Sequence, residues 1–319
     1  MILYVFAIAP RSKSDRAESL GTMATEDIDP RFSDLDSWNT AEALRALYQS
    51  QVEGLAAVGS ALPAISAAVD AAVRRLRAGG RLVYAGAGTS ARIAVQDGAE
   101  LAPTFNWPRE RVAFVIAGGE AALLQASEGA EDKRDDATAR IAELGVAAND
   151  IVIGLAASGE TPFTIAALEA ARAQGALTIG VANTPNASLL KASDHPILID
   201  TGAEAIAGST RLKAGTTQKV VLNLISTQLM VSLGRVYRGL MVDMRPTNAK
   251  LRRRAARMVS TITGAGETEA AQALATADGD IKLAALLARG LQRGAAEALL
   301  AKHDGSLRAA LDEGARSAS

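Results

Sequence analysis

Two short stretches of this chain carry the residue types that bind phosphate. The first is Gly86-Ala87-Gly88-Thr89-Ser90, reached directly from the apolar run Arg81-Leu82-Val83-Tyr84-Ala85. The second, about seventy residues later, is Ala156-Ala157-Ser158-Gly159-Glu160-Thr161, reached from Ile151-Val152-Ile153-Gly154-Leu155. Glycine lets backbone N–H groups approach an anion, Ser and Thr hydroxyls donate to its oxygens, and a following helix N-terminus adds positive potential. Neither stretch is a Walker A motif or a dinucleotide fingerprint: no Lys follows the first glycines, and Gly86-Ala87-Gly88 lacks a third glycine three residues on. Such hydroxyl-rich loops suit a small sugar phosphate, with Thr89, Ser90, Ser158, Gly159, Glu160 and Thr161 as candidate contacts. Ordinary N-capping, with Glu160 reaching back, accounts for either loop alone. Their repetition is what points to a ligand.

Two carboxyl groups are the candidates for acid–base work. Glu100 lies in Asp97-Gly98-Ala99-Glu100-Leu101-Ala102-Pro103, at the end of an otherwise apolar helix. Those neighbours predict partial burial, which would raise its pKa and keep it protonated near neutrality. Glu131 lies in Glu128-Gly129-Ala130-Glu131-Asp132-Lys133, before a charged helix. Acidic residues favour helix N-termini without any chemistry, so this position has a bland explanation too. A further polar stretch, Gly208 to Lys219, sets Arg211 and Lys213 beside hydroxyls and a glycine, as an anion-binding turn or as the capped start of a long helix. In the stretch from Met241 to Lys250, Asp243, Asn248 and Lys250 read as a loop entering a helix, with Thr247 or Asn248 as the cap. His195 and His303 are isolated and read as surface or satisfied histidines, so no metal site is expected.

The elements that position these residues change character along the chain. Residues 25–36 are polar and turn-rich, and Ala-rich amphipathic helices are predicted over 40–58 and 65–77, stopped by Gly79-Gly80. Strands are predicted over 81–85, 111–116, 151–155, 177–181 and 196–199, alternating with helices near 90–101, 121–127, 134–144 and 162–174. Continuous apolar strands alternating with helices predict an α/β fold, a doubly wound parallel five-stranded sheet covered on both faces. In that architecture ligands sit beyond the carboxyl ends of the strands, where both loops fall. Residues 202–208 read as a loop, 212–233 as a long buried helix, and everything beyond Asn248 as helices only. The expected organisation is an N-terminal helical segment (25–80), the sheet domain (81–248) and a C-terminal helical subdomain (249–319).

Composition narrows the functional classes. Of 319 residues, 34 are Lys or Arg and 35 Asp or Glu, so net charge is −1 and gives no general pull toward nucleic acid. Aromatics make up only 3 %, which argues against a base-stacking surface. The run Arg252-Arg253-Arg254 reads as a solvated helix face. Cysteine is absent, excluding disulfides, thiolate catalysis and Cys-ligated zinc, and compatible with the cytoplasm. Residues 1–9 are apolar but too short to span a bilayer, and lack the positive start of a signal peptide, although Ala7-Ile8-Ala9 has the form of a cleavage site. Residues 1–24 are expected to be a disordered extension, with Met23 as an alternative start.

Taken together, the stretches from about Thr25 onward resemble N-acetylmuramic acid 6-phosphate etherases, members of the sugar isomerase (SIS) fold group. The resemblance rests on Gly86 to Arg92, Ile116-Ala117-Gly118-Gly119-Glu120, Glu128 to Asp132, Ala156 to Pro162, Gly208 to Lys219, and Met241-Val242-Asp243 with Thr247-Asn248-Ala249-Lys250, in that order. Where the family carries D-A-S-E-C-P-P, this chain reads Asp97-Gly98-Ala99-Glu100-Leu101-Ala102-Pro103, keeping the glutamate. Ala91 replaces the glycine of the commoner G-T-S-G. The resemblance implies cleavage of the lactyl ether at carbon 3 of a ring-opened sugar phosphate, with Glu100 as proton donor and Glu131 as base. It further implies phosphate held by Ser90, Ser158 and Thr161 with Thr89 helping, no metal or other cofactor, and a homodimer with sites near the subunit interface. A sugar-phosphate aldose–ketose isomerase and a non-catalytic sugar-phosphate-binding regulator are the alternatives. Retention of both glutamates argues against the regulator, and the absence of a helix-turn-helix signal argues against a nucleic-acid partner.

Overall fold

Two 3₁₀ turns, Pro30–Phe32 and Leu35–Ser37, lead to Asn39, whose side chain accepts the Glu42 N–H at 3.0 Å and starts helix α1 (Thr40–Arg77). The computed structural model describes residues 25–125 and 127–317; the extension expected over 1–24, with Met23, lies outside them. The two helices predicted over 40–58 and 65–77 are one, continuing through Pro63. Proline removes a hydrogen bond to the carbonyl four residues back. That carbonyl belongs to Gly59, which is exposed, so water can replace the donor. The buried stripe Val58, Ala61, Ile65, Val69, Val73 and Leu76 runs past the proline and holds the helix together. By length and hydropathy α1 is long and apolar enough to cross a membrane, but this stripe is packed into the protein core.

The chain then alternates strand and helix: β1 (Leu82–Gly86), α2 (Gly88–Phe105), β2 (Val112–Ile116), α3 (Arg134–Glu143), β3 (Ile151–Ala156), α4 (Pro162–Ala173), β4 (Leu177–Ala182), α5 (Ser188–Lys191) and β5 (His195–Leu198). All four pairings are parallel and the strand order is β2-β1-β3-β4-β5, the doubly wound sheet that the alternation predicted. Alternate residues of each strand face opposite layers. Leu82, Tyr84, Ile153 and Ile179 pack toward α1 and α2, whereas Val83, Ala85 and Val152 pack toward α3 and α4. Each large apolar side chain buried this way contributes about 1.5–3 kcal/mol, and the three central strands, β1, β3 and β4, are closed on both faces.

The helix predicted over 121–127 is only a 3₁₀ turn, Glu120–Leu123. Arg92 of α2 donates to the carbonyls of Leu123 and Ala122 at 2.8 and 3.2 Å, taking acceptors that a helix would use. Gly118, at φ +77°, packs so closely on Ser127 that a Cβ would lie 2.7 Å from the serine Cβ, which folds the segment back on itself.

Beyond the sheet come α6 (Lys213–Ser232), a small antiparallel hairpin of β6 (Val236–Tyr237) and β7 (Leu240–Met241), and helices α7 (Ala249–Thr263), α8 (Glu267–Thr276), α9 (Ile281–Ala288), α10 (Arg293–Lys302) and α11 (Leu307–Ser317). The hairpin was not legible in the sequence, because strands of two residues carry no periodicity. The helices after it surround their own core, including Met258, Val259, Ile262 and Leu286. Asn248 caps α7 by accepting the Leu251 N–H at 2.9 Å. Asp243 ties this region to the sheet domain: it pairs with Lys282 of α9 at 2.7 Å and with Arg235 at 3.2 Å, and Arg235 donates to the Phe105 carbonyl ending α2 at 2.7 Å.

Candidate active site

The strand order reverses between β1 and β3, so their carboxyl-end loops diverge and leave a crevice. A cavity of about 350 Å³ occupies it, lined by Ala87, Gly88, Thr89 and Ser90 after β1 and by Ala157, Ser158, Glu160 and Thr161 after β3. α2 begins behind Ala87 and α4 behind Thr161, and neither start receives a side-chain cap. Unsatisfied first-turn N–H groups and two helix dipoles therefore converge on the crevice, which favours an anion.

Each loop is set by contacts that leave its donors in place. Ser90 is buried, and its Oγ donates to Gln218 Oε1 of α6 at 2.8 Å. Gln218 in turn donates to Asn183 Oδ1 at 3.1 Å, and Asn183 donates to Thr217 Oγ1 at 2.9 Å. In the second loop, Gly159 adopts φ +69°, and a Cβ there would lie 2.3 Å from the Ala187 Cβ. Gly159 is thus a shaping residue between Ser158 and Glu160 rather than part of the cavity wall. The Glu160 carboxylate does not reach back as a capping residue would; it accepts the Ser188 N–H at 2.7 Å and fixes the loop to α5.

Glu131 lines the same cavity. It sits on a 3₁₀ turn, Ala130–Asp132, that follows Gly129 at φ +66°. Ala130 is buried in the core beside α4, and its burial turns the exposed Glu131 and Asp132 toward the crevice. Glu100 is placed differently. It is exposed, not partly buried as its apolar neighbours predicted, and it does not line the cavity. Along α2 it stands twelve residues from Gly88, about 18 Å at 1.5 Å per residue. The helix turns Leu101 and Asp97 into the protein and leaves Glu100 outward. Asp97 accepts the Tyr84 hydroxyl at 3.0 Å, Asn223 at 2.7 Å and Ser226 at 3.0 Å; burial, outweighing these donors, pushes its carboxyl up.

Arg211 and Lys213 were expected at an anion-binding turn, but neither lines the cavity. Lys213 is buried, with Glu204, Glu53 and Asp29 as the carboxylates that face it, and burial pushes its ammonium down. Its Cβ lies 2.9 Å from where a Cβ on Gly54 would be, so α1 crosses the start of α6 at a glycine. The capping alternative describes this segment better: buried Glu204 accepts the N–H groups of Lys213 and Ala214 at 3.1 and 2.9 Å. Burial pushes the Glu204 carboxyl up against the pull of those two donors. His303 is satisfied by Glu313 at 2.8 Å, and among the described residues no group of three or more His, Asp or Glu is arranged to hold a metal.

Glu26, Asp132 and Thr210 also line the cavity and were not singled out from the sequence. Glu26 lies in the polar stretch 25–36, where turn-forming composition hides any other role. Asp132 adjoins Glu131, and nothing in its type distinguishes it from a helix-start carboxylate.

The chain matches the model of the glucokinase regulatory protein N-terminal SIS domain over residues 64–172 and that of the SIS domain over residues 136–232. An N-acetylmuramic acid 6-phosphate etherase of Deinococcus radiodurans is 49 % identical over 86 % of this chain and 90 % of its own. One of Streptomyces avermitilis is 47 % identical over 92 % of this chain and 94 % of its own. Among solved structures, a phosphoheptose isomerase from Francisella tularensis matches 61 % of this chain and 100 % of its own, at 18 % identity and a TM-score of 0.48.

Proposed function

The chain belongs to the N-acetylmuramic acid 6-phosphate etherase family, and we propose that it acts as a carbon–oxygen lyase in the crevice between β1 and β3. An alkyl ether resists direct hydrolysis because its alkoxide is a poor leaving group. Opening the sugar ring exposes an aldehyde at carbon 1, which makes the carbon-2 proton removable. A base takes that proton, and the lactate oxygen leaves carbon 3 with a proton from an acid. Water then adds to the enal at carbon 3. The sum is one water consumed, D-lactate released, and N-acetylglucosamine 6-phosphate left. Each proton transfer contributes about 10²–10⁴-fold.

Glu131 is the base in this reading and Glu100 the acid. The observation that carries it is the placement of Glu131 in one cavity with both hydroxyl loops, at two uncapped helix starts. The phosphate sits against Thr89, Ser90, Ser158 and Thr161, whose donors meet the dianion without a Lys or Arg side chain in the wall. Phosphate binding then requires the Ser90 hydroxyl to turn from Gln218 toward the ligand.

Because Glu100 lies outside its own protomer's cavity, it acts from a second copy in a homodimer. The surface supports this arrangement. Leu44, Tyr48, Val52, Leu55 and Leu62 recur on one exposed side of α1, at the spacing of one helical face. A groove between α1 and α6 is lined by Leu62, Val69, Val220, Leu224 and Asn223. Asn223 bonds Asp97, one turn before Glu100, so a copy covering this face would lie beside that glutamate. A cytoplasmic location is part of the same proposal, since the substrate is a phosphorylated sugar.

The test is incubation of the purified protein with N-acetylmuramic acid 6-phosphate in deuterium oxide. D-lactate should appear together with deuterium at carbon 2 of the product. An unchanged substrate after long incubation would overturn the proposal.

A further inference from the structure

We propose that Glu26 is a further substrate-contacting residue, which accepts hydrogen bonds from the sugar hydroxyls between the phosphate and the reacting carbons. It lines the cavity with Glu131, yet it comes from the segment before α1 rather than from a strand-end loop.

That segment is fastened on both sides of Glu26. Thr25 is buried, and its carbonyl accepts the Gly208 N–H at 3.2 Å. Three residues beyond Glu26, buried Asp29 pairs with Arg31 at 2.7 Å, and Arg31 pairs with Glu53 of α1 at 3.0 Å. The backbone carrying Glu26 is therefore tied to the loop before α6 and to α1. Gly208 leaves room for the carboxylate: it sits at φ +70°, and a Cβ there would lie 2.6 Å from Glu26 Oε2.

The cavity carboxylates differ in how they are engaged. Glu160 is occupied by the Ser188 N–H, and Glu131 is the base of the proposed reaction. Glu26 has no hydrogen bond or ion pair to another described residue. An ionised carboxylate only accepts hydrogen bonds, and it repels phosphate. The ligand groups that suit it are hydroxyls, which an opened sugar chain presents in numbers between its phosphate and its reacting carbons. This inference rests on the etherase reading for its substrate.

The experiment compares wild type, E26Q and E26A by kinetics, by deuterium entry at carbon 2, and by calorimetric binding of N-acetylglucosamine 6-phosphate. Losing a hydrogen bond to a charged acceptor should raise KM and weaken product binding about 10- to 100-fold in E26A. Carbon-2 exchange at saturation should stay within a few-fold of wild type, and E26Q, which keeps an acceptor oxygen, should recover part of the loss. Unchanged KM and unchanged product binding in a folded E26A, judged by an unaltered Tm, would overturn the assignment. So would loss of carbon-2 exchange to the degree seen in E131Q, because Glu26 would then be serving the chemistry itself. A wild type that binds the product but releases no lactate would instead overturn the etherase reading, and the binding comparison would still decide Glu26.

Discussion

Ser90 Oγ donates to Gln218 Oε1 at 2.8 Å, across 128 positions of sequence, and this bond joins the loop after β1 to the middle of the fold. Through Gln218 and Asn183 it continues to the Ala214 carbonyl, which accepts the Thr217 hydroxyl at 2.9 Å. The loop after β1 is thus held by a buried polar chain.

Gln218→Leu should therefore lower stability while freeing Ser90 for the ligand. It leaves the Asn183 amide oxygen and the Ser90 hydroxyl buried without their partner, which costs about 2 kcal/mol. Urea unfolding should show that loss as a lower midpoint with unchanged slope. The freed Ser90 no longer has to break a bond to reach the phosphate, so KM for the sugar phosphate should fall, whereas a midpoint equal to wild type would show that the chain carries no net stability.

Glu100 and Glu131 should separate the two half-reactions. Glu131→Gln should abolish both carbon-2 exchange and lactate release, by about 10²–10⁴-fold. Glu100→Gln should keep exchange and lose release; simultaneous loss of both would end the division of roles. Mixing the two inactive variants after reversible dissociation tests where Glu100 comes from. If one copy supplies the base and its partner the acid, each mixed dimer has one intact site, and about a quarter of wild-type activity should return. No recovery would mean that both groups act within one chain.

The sheet was legible because five apolar runs separated by helical patterns have few other ways to bury both faces. The placement of the two hydroxyl loops was legible for the same reason: the end of a buried parallel strand fixes where the next residues must stand. Glu100 was not. Ala99, Leu101 and Ala102 made it look buried, but on a helix the residue's angle decides, and Glu100 points away from the layer that takes Leu101. Lys213 misled by type: its place is the crossing of α1 and α6, and that crossing, together with the Glu204 cap, depends on contacts between segments distant in sequence. Glu26 was hidden because a residue in an irregular stretch has no periodicity from which to read a direction.

Gly159→Ala should fold poorly around the second loop. The substitution asks an L-residue to adopt φ +69° and puts a methyl group 2.3 Å from the Ala187 Cβ. Backbone strain of this sort costs about 1–3 kcal/mol, and the methyl clash adds to it. Sugar-phosphate binding should fall by more than the stability does, since Ser158 and Thr161 flank the displaced residue. A variant with wild-type KM would show that the loop tolerates the shift.

Asp150 gives the fold a pH-dependent anchor far from the chemistry. Just before β3, it accepts the Arg81 backbone N–H at 2.8 Å, the Arg81 guanidinium at 2.7 and 3.2 Å, and the Ala147 N–H at 3.0 Å. Burial pushes its carboxyl up, but the Arg81 side chain and the two backbone donors outweigh it and leave the pKa below the ordinary aspartate value. A depressed carboxylate stabilises the folded state above its unfolded pKa, near 3.9, and that contribution disappears as pH falls through the folded value. Asp150→Asn should accordingly lose about 2 kcal/mol at pH 7, the worth of charge-assisted bonds in place of neutral ones. The gap between variant and wild type should stay constant from pH 7 to about pH 5 and then close on further acidification. Denaturant melts across that range read the gap directly, and a gap that widened toward acid would show that the Arg81 pairing is not what lowers the carboxyl.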